Sequence, residues 1–125
     1  MKTKFEPVLL LIVCVLASVC PLLAHHGNAS YDTSKSVTIK GTVLQYIWAN
    51  PHVFLRVEAT DENGNKVPWV IEAQNAVTQA SSGWTKSMFK PGDQVTIEAT
   101  PAKNGRPIAR FKGRIFINGQ EFKAS

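Results

Sequence analysis

The stretch Val37 to Trp48 reads VTIKGTVLQYIW, and its parity decides the architecture. Val37, Ile39, Gly41, Val43, Gln45 and Ile47 fall on one face, and Thr38, Lys40, Thr42, Leu44, Tyr46 and Trp48 on the other. The first set is mostly apolar. The second starts polar and turns apolar after Thr42. Successive side chains of a strand point to opposite faces, so a strand whose buried face changes midway is long and strongly bent. Gly41 is the expected place for the bulge or kink. Asn50-Pro51 then breaks the strand.

Downstream the pattern repeats at shorter range. His52 to Thr60 is a second strand, with Val53, Leu55, Val57 and Ala59 inside. Asp61-Glu62-Asn63-Gly64-Asn65 is a hairpin signal, because Asn-Gly accepts the positive φ of a tight turn. Lys66 to Ala73 returns as a third strand, and Pro68 within it points to a sheet edge or a local break. Asn75 caps a short helix through Ala76, Val77, Gln79 and Ala80, which Ser81-Ser82-Gly83 ends. Trp84 and Phe89 are expected to plug an end of the sheet. Lys90-Pro91-Gly92-Asp93 turns into a fourth strand, Gln94 to Thr100. A polar loop, Pro101 to Pro107, leads to a fifth strand, Ile108 to Ile117, and Asn118-Gly119 turns the chain into a short tail.

The resulting order, β-β-β-α-β-β with a long bent first strand, predicts an all-β, five- or six-stranded barrel of the oligonucleotide/oligosaccharide-binding (OB) type. An open meander or a small sandwich is the alternative. Neither architecture carries an activity with it.

Upstream, residues 1–24 read as a secretory signal. Lys2 and Lys4 form the positive region, Val8 to Val19 is an uncharged apolar run, Pro21 breaks the helix, and Ala24 sits just before the expected cut. An uncleaved anchor and a lipoprotein are the competing readings. Val8 to Ala24 is at the short limit for spanning roughly 30 Å of hydrocarbon, and Val13 and Val19 precede Cys14 and Cys20 where a lipobox needs a small residue. Cleavage after Ala24 leaves an arm over residues 25–36 and one barrel domain over 37–125. It also removes both cysteines of the 125-residue chain, so the exported protein has no disulfide. The expected address is the periplasm, with no membrane attachment after cleavage.

Charge excludes little. Losing Lys2, Lys4 and Glu6 takes the formal net charge from +5 to +4, and the remaining charges are scattered. The one basic cluster is Arg106, Arg110, Lys112 and Arg114, which reads first as a solvated strand face. Aromatic residues Tyr46, Trp48, Phe54, Trp69, Trp84 and Phe89 offer a stacking surface in principle. Nearly all lie at core parity, and an exported protein has little access to nucleic acid, so none is expected as a partner.

Three histidines remain after cleavage: His25, His26 and His52. With no cysteine left, any borderline metal must use them. A cut after Ala24 makes His25 the first residue, whose α-amine and ring nitrogen chelate one ion together. A further imidazole from the domain would complete a T-shaped set of three nitrogens, a histidine brace, and His52 is the only candidate. Tetragonal nitrogen ligation suits Cu(II) better than Zn(II). Reach limits the idea. From Ser36 back to His25 the chain spans at most about 36–40 Å, and a straight first strand of 12 residues is roughly 40 Å long. A bend at Gly41 shortens the path. The local alternative is Cu(II) held in the tail by the amine, the intervening amide and His26. In the bland alternative, His25-His26 is a polar start and His52 packs beside Pro51 and Trp48.

Enzyme constellations are thin. The sequence has no Gly-x-Ser-x-Gly elbow, no Walker loop and no zinc-protease helix. Glu58 and Glu72 are available carboxylates on the second hairpin. Pairing residues whose numbers sum to about 127 sets Glu58 near Trp69 rather than Glu72, which argues against a dyad and leaves a solvated hairpin face.

Several pieces now stand in a recognisable order: His25-His26 after the signal, Tyr31-Asp32, VTIKGTV at 37–43, Trp48-x-Asn50-Pro51-His52-Val53, Gly83-Trp84-Thr85, Lys90-Pro91-Gly92-Asp93-x-Val95 and Pro101-Ala102-Lys103-Asn104-Gly105. They resemble the exported bacterial proteins grouped as domain of unknown function 6152. The chain departs from them at Gly27, where Ser is common, and at Gln74-Asn75 before the helix. The resemblance implies a periplasmic β-barrel and no established activity. The expectation is a monomeric binding or accessory module rather than an enzyme, with Cu(II) at His25, His26 and His52. The competing expectation is a barrel that binds an envelope protein or glycan, its histidines incidental.

Overall fold

The structure is a computed structural model that describes residues 30–124. The segment expected to be a signal, with Cys14, Cys20, His25 and His26, lies outside the described residues.

Five strands and one helix follow the expected order and a sixth strand is added at the end: β1 Val37–Ile47, β2 Phe54–Thr60, β3 Lys66–Glu72, α1 Ala76–Ser81, β4 Gln94–Pro101, β5 Ile108–Ile117 and β6 Gln120–Phe122. They form one sheet in the order β3-β2-β1-β4-β5-β6, which the parallel β3–β5 pairing closes into a five-stranded barrel. The bent first strand makes closure possible. Val37 to Thr42 pair with β4, and Gly41 to Ile47 pair with β2, so β1 serves both halves of the barrel.

The irregularity in β1 lies between Val43 and Gln45, not at Gly41. Gly41 instead sits where both neighbours pair with the strand, opposite Ala59 and Val95. A second register shift, between Ile97 and Ala99 of β4, sets Lys112, Gly113 and Arg114 of β5 around Glu98, whose Oε2 accepts from the Arg114 amide at 3.1 Å.

Alternation builds the core as read from the sequence. Ile39, Val43, Val53, Leu55, Val57, Ile71, Val95, Ile97 and Ile115 are buried together inside the barrel. Trp84 and Phe89 are also buried and meet edge-on, with ring centroids 5.7 Å apart. Tyr46 packs against Phe89 at 5.1 Å and Phe111 against Trp84 at 5.2 Å, which completes the plug. Pro68 occupies the half of β3 that pairs only with β2, because β5 joins β3 from Val70 onward. A missing N–H costs nothing there.

The helix is only six residues long, so its ends matter. Asn75 Oδ1 accepts from the Thr78 amide at 2.9 Å, and Asn50 Oδ1 accepts from the Ala76 amide at 3.1 Å. Asn75→Ala is expected to cost about 1 kcal/mol in urea unfolding, the usual loss on removing an N-cap. At the other end of the chain the tail is a strand. Asn118 (φ 51) and Gly119 (φ 83) form a two-residue turn of the kind that matches strand twist, and β6 adds to β5.

The β2–β3 register pairs Phe54 with Glu72 and Glu58 with Pro68, one residue away from the expected Glu58–Trp69 opposition. The arm expected over 25–36 is, from Tyr31 on, part of the packed unit. Tyr31 bridges Ala102, and the Asp32 amide donates to Pro101 O at 2.9 Å.

Candidate functional site

Glu72 ends β3 on the parity opposite Ile71, so its side chain leaves the barrel wall outward, yet the residue is only 9% exposed. Three side chains from three parts of the chain cover it. His52, two residues before β2, sets Nδ1 2.6 Å from Glu72 Oε1. Tyr31, from the arm, donates its hydroxyl to Glu72 Oε2. Arg110, paired with Glu72 across the parallel β3–β5 ladder, places a guanidinium nitrogen 3.7 Å from Oε2. The same guanidinium lies 4.5 Å above the Tyr31 ring centroid. A buried carboxylate is costly unless paired and hydrogen-bonded, and here both oxygens are engaged.

Each position has a local cause. Just before β2 begins, the Val53 amide donates to Gln74 O and the Ala73 amide to Val53 O, which extends the ladder and holds His52 diagonal to Glu72. The imidazole stands edge-on to Phe54, its centroid 6.2 Å away. Nδ1 faces the carboxylate, which leaves Nε2 as the ring nitrogen not engaged by Glu72. The His52 side chain is 37% exposed, so the ring is fixed on one edge and accessible on another.

Burial pushes the Tyr31 phenol up to about 12, helped by its hydrogen bond to Glu72 and that carboxylate's charge; Arg110 opposes the shift. Burial also raises the Tyr46 phenol. These are the two tyrosines of the chain. Folded protein is therefore expected to show no phenolate absorbance at pH 10–11, whereas urea-unfolded protein ionises near the ordinary value of 10. The sign follows: a neutral form favoured by folding stabilises fully below pH 10, and that stabilisation is lost as pH rises toward the folded value. Phenolate absorbance of native protein at pH 10 contradicts this burial.

Of the expected site residues, His52 stands against Glu72 and edge-on to Phe54. His25 and His26 are outside the described residues, and among the described residues no group of three or more His, Cys, Asp or Glu forms a metal cluster. Glu72 is no part of a solvated hairpin face, and it forms no dyad with Glu58, whose Oε1 instead accepts from Lys66 Nζ at 2.9 Å. Arg110 belongs to the network rather than to a solvated basic face, and Arg114 pairs with Glu121 at 2.7 Å. Sequence reasoning missed Tyr31, Glu72 and Arg110 as a unit. A lone tyrosine in a polar arm was the only available hint.

The closed barrel, the bent first strand and the helix between β3 and β4 define an OB-type fold. The chain belongs to the family of unknown function DUF6152, whose profile matches residues 12–110. Among solved structures it is similar to the mitochondrial single-stranded DNA binding protein Rim1 of S. cerevisiae. The identity is 14% and the TM-score 0.50, with 73% of this chain and 96% of that chain covered. A selenomethionine form of that yeast protein is similar at 13% identity and TM-score 0.47, with coverages of 73% and 97%. At this identity the likeness concerns the fold alone. No curated protein matches the chain. No helix among the described residues is long and apolar enough to cross a membrane.

Proposed function

We propose that this chain is an exported barrel that binds Cu(II) through His25, exposed as the first residue by cleavage after Ala24, together with His52. One observation carries the reading: His52 Nδ1 is 2.6 Å from the buried Glu72 carboxylate. A ligating histidine almost always gives its second ring N–H to such a partner, which fixes the ring and raises the basicity of the ligating nitrogen. The α-amine and imidazole of His25 would supply two nitrogens and His52 Nε2 the third, a set that suits tetragonal Cu(II). His26 is the local competitor, through tail binding alone.

Reach supports the same reading. Tyr31 shares the Glu72 carboxylate with His52, and His26 is five residues before Tyr31. Five to six residues of extended chain cover about 17–21 Å, so the arm need not run back along β1. By fold analogy the place is also apt, since OB barrels present ligands on the β2–β3 face between the loops that precede β2 and β5. The protein acts in this reading as a periplasmic binding or accessory module.

The test is a Cu(II) titration, against a glycine competitor, of protein whose first residue is shown by intact mass to be His25. Glu72→Gln is expected to weaken binding about 10- to 100-fold, the range for a ligand's supporting partner, and His52→Ala at least as much. Unchanged affinity in His52→Ala leaves tail binding only, and unchanged affinity after deletion of His25 and His26 ends both versions. The second reading, an envelope protein or glycan held on the barrel surface, draws on an open apolar groove lined by Trp48, Ala76, Val77 and Ala80, where Val77 is 71% exposed. It predicts no dependence on the histidines.

A further inference from the structure

We propose that Asn104 is a self-modification site: in the folded protein its side-chain amide hydrolyses to aspartate or isoaspartate ahead of the two other Asn-Gly pairs. The chain carries this dipeptide at 63–64, 104–105 and 118–119, each at a turn and each with an exposed asparagine. The reaction needs only water. The backbone nitrogen of the following glycine gives up its proton and attacks Cγ of the asparagine. The side-chain nitrogen takes up a proton and leaves as ammonia, which closes a five-membered imide. Water then opens either carbonyl, leaving an aspartate in the normal main chain or one linked through its side chain. Glycine favours the attack because it has no Cβ to crowd the nitrogen. Exposure and dipeptide are the same at the three sites, so the surrounding bonds must rank them.

Three features favour Asn104. Its Oδ1 accepts from the Arg106 amide at 3.0 Å, so the oxygen that gains negative charge during attack already faces a donor. The attacking nitrogen is loosely held, because the Gly105 amide donates to Ala102 O at only 3.4 Å, beyond the usual range. Lys103 and Arg106 flank the pair, and no carboxylate lies between 101 and 107, which favours a deprotonated amide. Asn63 has the reverse setting. The Gly64 amide donates to Asp61 O at 3.0 Å and the Asn63 amide to Asp61 Oδ1 at 2.9 Å, while Asp61 and Glu62 oppose an amide anion. Asn118 is clamped at both ends of its carboxamide. Nδ2 donates to Asp93 Oδ1 at 3.0 Å, and Oδ1 accepts from the Gln94 amide at 3.0 Å. Cγ can swing onto the Gly119 nitrogen only after those bonds break, and conversion there would set a second carboxylate against Asp93.

The experiment incubates purified protein at pH 8, folded and in urea, and follows each Asn-Gly peptide by mass spectrometry, with isoaspartate scored by its separate elution. Unfolded chains should convert the three sites at similar rates. In the folded protein Asn104 should lead, Asn63 should trail several-fold, and Asn118 should give no product while Asn104 converts. Arg106→Glu keeps the backbone donor and reverses an exposed charge. It should slow Asn104 several-fold and leave the other two sites unchanged, and added salt should slow Asn104 in wild type by screening the same charge. Asp93→Ala releases Nδ2 of Asn118 and should bring that site into measurable range. If that variant is poorly folded, Arg106→Glu carries the test, since its side chain lies on the surface. Conversion of Asn63 or Asn118 ahead of Asn104 in the folded protein overturns the proposal, and so does an Asn104 rate unchanged by Arg106→Glu.

Discussion

Glu72→Ala is expected to destabilise the protein by about 3 kcal/mol, near the low end for breaking a buried charge pair from one side. One carboxylate accepts from Tyr31 and lies against His52 and Arg110, so its removal strips a partner from groups on the arm, on the loop before β2 and on β5. Arg110 is 21% exposed and keeps part of its hydration, which is why the low end applies. In a domain of this size such a loss lowers Tm by more than about 10 °C. Glu72→Gln preserves volume and one acceptor and should cost about half as much. Urea unfolding at pH 7 measures both, and a loss below about 1 kcal/mol for the Ala variant would show that water replaces the carboxylate without penalty.

Gly41→Ala should cost about 3–4 kcal/mol, at or above the usual range for overpacking. A Cβ at this position would lie inside the envelope of the Glu58 carbonyl oxygen and 2.9 Å from Val57 Cγ1. The obstacle is backbone, and β1 is paired on both sides there, so neither strand can retreat without breaking a ladder. Gly113→Ala is the control. Its Cβ would meet the Glu98 carboxylate, 2.5 Å from Oε2, and a side-chain end can move aside. That substitution should cost no more than about 1 kcal/mol. Equal losses at the two glycines would mean that the close approach of β1 to β2 is not what constrains position 41.

The register of the second hairpin shows where sequence reasoning stopped short. Directly opposed residues of an antiparallel pair share a face. The apolar sets Val53, Leu55, Val57, Ala59 and Val67, Trp69, Ile71 are all odd-numbered, so opposed residues must sum to an even number. The observed sum is even, with Leu55 opposite Ile71 and Phe54 opposite Glu72. An odd sum, as expected from the turn alone, set a core residue against an outward one and hid the nearness of His52 to Glu72. Burial of a whole face overrides turn counting, because a one-residue slip exposes every core side chain of the strand.

The N-terminal arm marks the other boundary. Its polar composition gave no reason to expect burial, and Tyr31 docks because of what waits on the barrel: a carboxylate needing a second donor and a guanidinium able to cover the ring. Those partners lie 41 and 79 residues away along the chain. Their meeting depends on the parallel β3–β5 closure, which sets Glu72 opposite Arg110.

Local periodicity and turn chemistry were thus enough to determine the first five strands, the helix, the bent VTIKGTVLQYIW strand and the aromatic plug, because each depends on residues near one another in sequence. His52 was legible as the one histidine within the barrel domain. Only the tertiary structure decided that its ring is held by a buried glutamate, that Gly41 is constrained by the carbonyl of the neighbouring strand, and that Tyr31 belongs to the same network. Pairing across strands depends on register and closure, and those are settled by burial of the whole barrel at once.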